Sequence, residues 1–174
     1  MENPTSAESA RMDRLYQLRI LDTPQDQCFE RLVEEALLRV PGATIAAISL
    51  VDANRQWFKA IIGLDATETP RDVSFCSHTI QSSGIMVVED ATADSRFAAN
   101  PLVTSFPKIC FYAGVKLLAG VGARCVIGPQ ARRATESELA DLDKLANLVD
   151  IQLLSHGTLY NLGQQSSIPP ASQR

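Results

Sequence analysis

The segment VSFCSHTI, residues 73–80, holds the side chains of this chain best suited to chemistry. Cys76 offers a thiol and His78 an imidazole, in a sequence with four cysteines and two histidines. Such a pair can be nucleophile and base, two ligands of a metal, a chromophore anchor, a redox-sensing thiol, or part of a core. A nucleophilic couple needs both side chains within hydrogen-bond reach and a third group to orient the base. Residues 76–83 are predicted as a short helix, on which i and i+2 diverge by about 200°, so the dyad is disfavoured. As a metal site the pair supplies two ligands, and His156 lies on a distant predicted helix. Cys28, Cys76, Cys110 and Cys125 form no C-x-x-C pair of the kind zinc sites use. The favoured reading is a pocket wall or core segment, with no catalytic residue, metal or cofactor.

Further along, ADSRF brings Asp94, Arg96 and Phe97 close to Asp90. Arg96 could pair with an acidic ligand, but the favoured reading has Asp94 capping the turn while Arg96 bridges it to Asp90. Trp57 and Lys59 share one strand face, and Trp57 reads as a sheet anchor rather than a stacking platform. Tyr112 is either a ligand-facing hydroxyl or a hydrogen-bonded core tyrosine. Ser49 and Phe75 complete the side chains expected near a ligand. Walker, Rossmann and nucleophile-elbow motifs are absent from the sequence.

These residues must be positioned by a chain of 174 residues, 45% hydrophobic and 21% charged, with net charge −4. That length suits a single domain able to bury about 70% of its unfolded surface without disulfides. The acidic balance gives no nucleic-acid footprint. No signal peptide or membrane-length apolar run is visible, so a cytoplasmic protein with reduced thiols is expected. Periodicity predicts a helix over 6–21 and another over 24–40, with Thr23 as cap and Pro24 first in the helix. Apolar runs at 43–52 and 56–62 flank DANR as a hairpin, 63–75 reads as loop, and 85–90 as a strand. Asp94 and Asn100-Pro101 are start signals for short turns. A second hairpin spans about 108–128. Thr135 to Glu138 forms a capping box that opens a long helix. Expected boundaries are an N-terminal tail 1–10, one domain 11–161, and a disordered tail or linker 162–174.

Hairpins in the middle and helices at both ends are an α+β pattern with an antiparallel sheet. Alternation assigns Ile109, Phe111, Ala113, Val115 and Leu117 to the face under the terminal helices. The set Cys110, Tyr112, Gly114, Lys116 and Leu118 should face loops and a small-molecule pocket.

The segments ILDTPQDQCFERL, ISLVDANRQWFKAIIGL, SFCSHTI, VVEDATADSRFAANPLV, FYAGVKL and CVIG, taken in order, resemble a GAF domain. They are most similar to the subgroup found in bacterial histidine kinases and diguanylate cyclases, and cover about residues 12–155. The resemblance implies a six-stranded antiparallel sheet, one strand more than periodicity places. It departs from the family where Lys116 replaces Pro, Arg124 replaces an apolar residue and Gly128 replaces Asp. Lys116 and Arg124 could meet across the shortened hairpin and favour an anionic ligand, or both could reach out to solvent. Bilin-binding members attach chromophore through Cys directly followed by His, whereas Ser77 intervenes here. The cyclic-nucleotide signature N-K-F-D-E is absent. The cysteines do not resemble the set of free-methionine-sulfoxide reductases.

The resemblance implies a non-enzymatic sensory module. It would bind an unknown small ligand or partner at Ser49, Trp57, Phe75, Cys76, His78, Arg96, Phe97, Tyr112, Lys116 and Arg124. It would signal through its terminal helices to a kinase or cyclase output domain, in cis or trans. Alternatives are a thiol-dependent reductase on the same fold, or a degenerate dimerisation unit. A homodimer is expected through Met12, Leu15 and Leu18 of the first helix with Leu153 and Tyr160 of the last. No nucleic-acid or membrane partner is expected.

Overall fold

The computed structural model describes residues 5–165. Thr5 caps the first helix, α1 (Ser6–Gln17), by accepting from the Glu8 amide. This helix starts inside the expected tail and stops short of residue 21, where Arg19 and Asp22 turn the chain at positive φ. The second helix, α2 (Gln27–Arg39), is capped by Asp26 rather than Thr23. The Thr23 hydroxyl is engaged elsewhere, donating to the Ile20 carbonyl and accepting from Lys59 Nζ.

Six strands follow, with three more helices: β1 (Ile45–Val51), β2 (Arg55–Ile62), β3 (Glu68–Pro70), α3 (Phe75–Thr79), β4 (Ile85–Val88), α4 (Pro101–Thr104), β5 (Phe111–Lys116), β6 (Gly122–Gly128) and α5 (Glu136–Gln165). The strands form one antiparallel sheet in the order β3-β2-β1-β6-β5-β4. The fold is therefore α+β, as the pattern predicted. The strand that periodicity left unplaced is β3, whose three residues lie in the expected loop. It is too short and polar to show alternation, and it pairs only with β2 at the sheet edge.

One face of the sheet is covered by helices. Leu15 of α1, Phe29, Val33 and Ala36 of α2, and Leu142, Ala146, Val149 and Leu153 of α5 pack there on Ala46, Ile48, Leu50, Phe111, Ala113, Val115 and Val126. The capping box forms in full. Glu138 N–H donates to Thr135 Oγ1, and the Thr135 amide donates to Glu138 Oε2. Burying each large apolar side chain contributes about 1.5–3 kcal/mol, so this layer supplies most of the driving force. Ile109, assigned to this face, lies just before β5 and joins the opposite cluster instead.

Leu15 and Leu153, expected at an intermolecular seam, are fully buried within the chain's own fold, and Leu18 nearly so. Those three cannot serve an intermolecular seam, whereas Met12 is half-buried and Tyr160 exposed. A second apolar stripe does run along α5, on the side away from the sheet, through Leu148, Ile151, Leu154 and Leu159. The helix extends through Gln165 into the segment expected as a tail, and residues 166–174 lie outside the described part. Among the described residues no helix is long and apolar enough to cross a membrane.

Candidate functional site

On the other face, α3, α4 and the loops between them close over the sheet. Ser74 starts α3, accepting from the Ser77 amide and donating from its hydroxyl to Gln56 Oε1 on β2. Asn100 caps α4 through the Leu102 amide, and its Nδ2 donates to the Val73 carbonyl. The start of α4 is thus tied to the turn that leads into α3. Phe75 stacks on Phe97 with centroids 4.0 Å apart, and tilts against Tyr112 at 5.2 Å.

Tyr112 is fully buried. Its hydroxyl lies 2.6 Å from Thr79 Oγ1 and 3.4 Å from Cys76 Sγ. Burial pushes that phenol well above its ordinary pKa, so it is neutral at physiological pH. The ring reaches this point by folding back along its strand over Gly114. A Cβ on Gly114 would stand 2.2 Å from the Tyr112 oxygen. Only glycine permits that approach.

Cys76 Sγ also lies 3.9 Å from Cys125 Sγ on β6. Both cysteines border a narrow cavity of about 30 Å³, walled besides by Ala47, Phe58, Phe75 and Tyr112. At roughly 10–15 Å³ of such volume per water, it holds about two or three water-sized molecules. A much larger concavity, about 1020 Å³, is an open groove elsewhere, between α1 and the ends of α3 and β5. Two of its cations, Arg11 and Arg71, are already paired with Glu8 at 2.7 and 2.8 Å. We take the narrow cavity as the site, because the polar groups around it, Cys76, Tyr112 and Cys125, are buried and converge.

Of the expected ligand residues, Phe75, Cys76 and Tyr112 line this cavity. Ser49 is buried beside it, donating to the Ala123 carbonyl at 3.3 Å. Phe97 stands behind Phe75. His78 points away on the exposed side of α3, edge-on to Phe97 at 4.8 Å, and burial against that ring and the nearby Arg96 lower its pKa. Cys76 and His78 thus diverge as the helix geometry required. Arg96 is exposed and pairs with Asp94 itself at 2.6 Å, not with Asp90. Asp90 instead accepts from Thr92 in a turn of its own.

Trp57 belongs to the helix-covered core. Arg124 is a larger correction. It neither faces the pocket nor reaches solvent. In the β5–β6 register it stands opposite Val115, whereas Lys116 stands opposite Ala123. The two cations therefore point to opposite faces of the sheet and cannot meet. Arg124 is buried under the helices, donating through Nη1 to the Leu142 carbonyl and through Nη2 to the Leu32 carbonyl, each at 3.1 Å. Its Nε has no partner among the described residues, and burial lowers its pKa to about 10. Lys116 donates to the Ser82 carbonyl at 2.6 Å and borders the open groove.

Sequence reasoning passed over Cys125, Thr79, Gln56 and Ser74. Cys125 was the accessible one: on a hairpin it faces Gly114, on the same side as Tyr112. Among the described residues no cluster of three or more metal-ligating side chains is present.

No protein-family model matches the chain. It is 40% identical over 149 residues to a cyclic di-GMP phosphodiesterase of Pseudomonas aeruginosa, covering 82% of this chain and 25% of that protein. The chain thus spans about a quarter of the length of the curated relative it matches. Among solved structures it is similar to the GAF domain of an Acinetobacter phosphoenolpyruvate-protein phosphotransferase, at TM-score 0.63 and 16% identity over 89% of this chain and 96% of that one. It is also similar to free methionine-R-sulfoxide reductase of Neisseria meningitidis, at TM-score 0.58 and 17% identity over 92% and 96%. The expectation of a chain with no enzymatic character is overturned by these likenesses. The Pseudomonas relative is named as a phosphodiesterase, and a reductase shares the architecture. Strand order, helical backing and pocket cover agree with the structural likenesses, and the fold is that of a GAF domain.

Proposed function

We propose that the chain is a sensory GAF unit of bacterial cyclic di-GMP signalling. It takes up a small ligand or stimulus on the pocket face and passes the change through α1 and α5 to an output domain. The observation that carries this reading is the 40% identity to one segment of a cyclic di-GMP phosphodiesterase, a quarter of that protein's length. The output domain would turn over cyclic di-GMP, in the same polypeptide or as a separate partner, in the cytoplasm. The exposed stripe Leu148, Ile151, Leu154 and Leu159 supports a homodimer in which two copies of α5 pair on the side away from the sheet.

A chimera tests the reading. The matching segment of the Pseudomonas enzyme is deleted in one version and replaced by this chain in another, and cyclic di-GMP turnover is measured. Deletion is expected to alter turnover and the graft to restore it. A graft that behaves like the deletion refutes the proposal.

The Cys76–Cys125 pair favours a second reading, a thiol-dependent reductase. Against it stands a cavity of about 30 Å³, which has no room for an amino-acid substrate. Thiol titration with and without methionine sulfoxide separates the two readings.

A further inference from the structure

Cys76 and Cys125 are 49 residues apart in sequence, yet their sulfurs are in van der Waals contact. Both are free and buried. A single buried thiol is ordinarily an inert apolar filler. This pair differs in three respects. The sulfurs face each other directly. Polar groups surround Cys76, with the Tyr112 hydroxyl at 3.4 Å. The cavity they border has room for about two or three water-sized molecules.

We propose that Cys76 and Cys125 are joined in a reversible disulfide by hydrogen peroxide entering this cavity, and that the bond is the stimulus sensed. The second half of this inference rests on the sensory reading above. Cys76 is the attacking thiol, because the Tyr112 hydroxyl, 3.4 Å from its sulfur, can donate to the thiolate and it sits on the short α3. Hydrogen bonding with Cys125 holds it below the ordinary thiol value despite burial, with Ser49 and Tyr112 acting in the same direction. Hydrogen bonding to Cys76, together with burial, pushes Cys125 up.

In the first step Cys76, having lost its proton, attacks one peroxide oxygen. The O–O bond breaks, and the other oxygen takes up that proton and leaves as water. Cys76 is then a sulfenic acid. Cys125 sulfur attacks Cys76 sulfur, the S–O bond breaks, and hydroxide leaves with the Cys125 proton as a second water. Two thiols and one peroxide give one disulfide and two waters. The sulfurs lose two electrons and the peroxide gains them. A dithiol reductant returns both thiols by exchange.

An S–S bond is about 2.05 Å long, so the sulfurs must close from 3.9 Å. Cys125 sits on β6, held between β1 and β5. Cys76 sits on the five-residue α3, which is the element able to move. A route outward exists from α3. Ser77 Oγ donates to the Arg71 carbonyl at 3.1 Å, and the Arg71 guanidinium pairs with Glu8 of α1 at 2.8 Å.

The test treats the full chain with hydrogen peroxide, blocks remaining thiols after denaturation, and maps linked peptides by mass spectrometry. A Cys76–Cys125 linkage is expected in the unmodified chain and in the Cys28→Ser, Cys110→Ser double variant. It should be reversed by dithiothreitol. Bulky cumene hydroperoxide should form it more slowly, on the order of tenfold, because the cavity holds only a few heavy atoms. Oxidation confined to Cys28, which is exposed, or equal rates with both peroxides, overturns the proposal. In the chimera, oxidation should change turnover on the order of fivefold, and Cys125→Ala should abolish that response while melting cooperatively. A graft that restores turnover but ignores oxidation defeats the stimulus inference and leaves the sensory reading standing. A graft that fails to restore turnover defeats that reading, while the peptide map still decides the disulfide.

Discussion

The two faces of the sheet are built by different rules. The helix-covered face is mostly aliphatic, assembled from residues that recur at helical or strand spacing, with the cation Arg124 enclosed among them and Lys59 buried against Phe29 at its margin. The pocket face is assembled from single side chains of separate segments, joined in polar pairs: Tyr112 with Thr79, Ser74 with Gln56, Cys76 with Cys125. On the first face stability comes from area removed from water. On the second, each hydrogen bond is worth only about 1 kcal/mol net, but a buried polar atom left unpaired costs more. Damage to the helix face should therefore unfold the protein. Damage to the pocket face should leave it folded and altered.

The sharpest way to break this contrast is Leu153→Glu, which forces a carboxylate into the helix layer. A loss of more than about 4 kcal/mol is expected, read as absent cooperative unfolding in urea. A folded variant would show that the layer is less essential than its burial indicates. Next comes Gly114→Ala, whose added methyl collides with the Tyr112 oxygen. It should cost about 1–3 kcal/mol and displace the tyrosine while the far-ultraviolet circular dichroism stays native.

Arg124→Met probes the exception on the helix face. A buried cation bonded only to carbonyls gains little over a well-packed apolar side chain, so stability should change by less than about 1.5 kcal/mol or rise. A loss well beyond that would mean that the two carbonyl bonds hold α2 and α5 in place.

The faces meet at Glu8, which binds Arg11 and Arg71 and whose pKa falls from 4.5 to about 2, first through its hydrogen bond to Arg11. A depressed carboxyl contributes stability above its unfolded value. That contribution should fade as pH falls from 4.5 toward 2. With solvent screening it amounts to roughly 1 kcal/mol. Chemical denaturation of Glu8→Gln should show that part of the acid slope removed. The smallest effect on stability is expected from Ile151→Glu on the outer stripe, within about 0.5 kcal/mol. If two copies of α5 pair along this stripe as proposed, light scattering should nevertheless find a dimer for the unmodified chain and a monomer for this variant.

The helix face was legible because its signal is repeated. Phe29, Val33 and Ala36, or Leu142, Ala146, Val149 and Leu153, announce a buried stripe several times over. Strand alternation likewise sent Phe111 inward and Tyr112 to the pocket. The site was only partly legible, because its contacts depend on register. Nothing local reveals that Arg124 pairs with Val115 rather than lying beside Lys116, or that Cys125 meets Cys76. Register also decided β3, which exists because the edge of β2 can accept it. Thr23 shows the same limit at smaller scale: its side chain could cap a helix, but Lys59 claimed it.

The α5 helix has 30 residues, and at about 1.5 Å per residue it is a rod of some 45 Å. Arg124 fastens it near one end, at Leu142. Twenty-three residues farther on, Gln165 is about 35 Å from that pivot. A tilt of about 5° at the sheet would swing the far end by about 3 Å, comparable to the helix shifts that switch subunit interfaces. Gly157 packs against Leu18 at the end of α1, where a Cβ would lie 3.4 Å from the Leu18 Cα. The start of the chain would therefore be carried along with the lever.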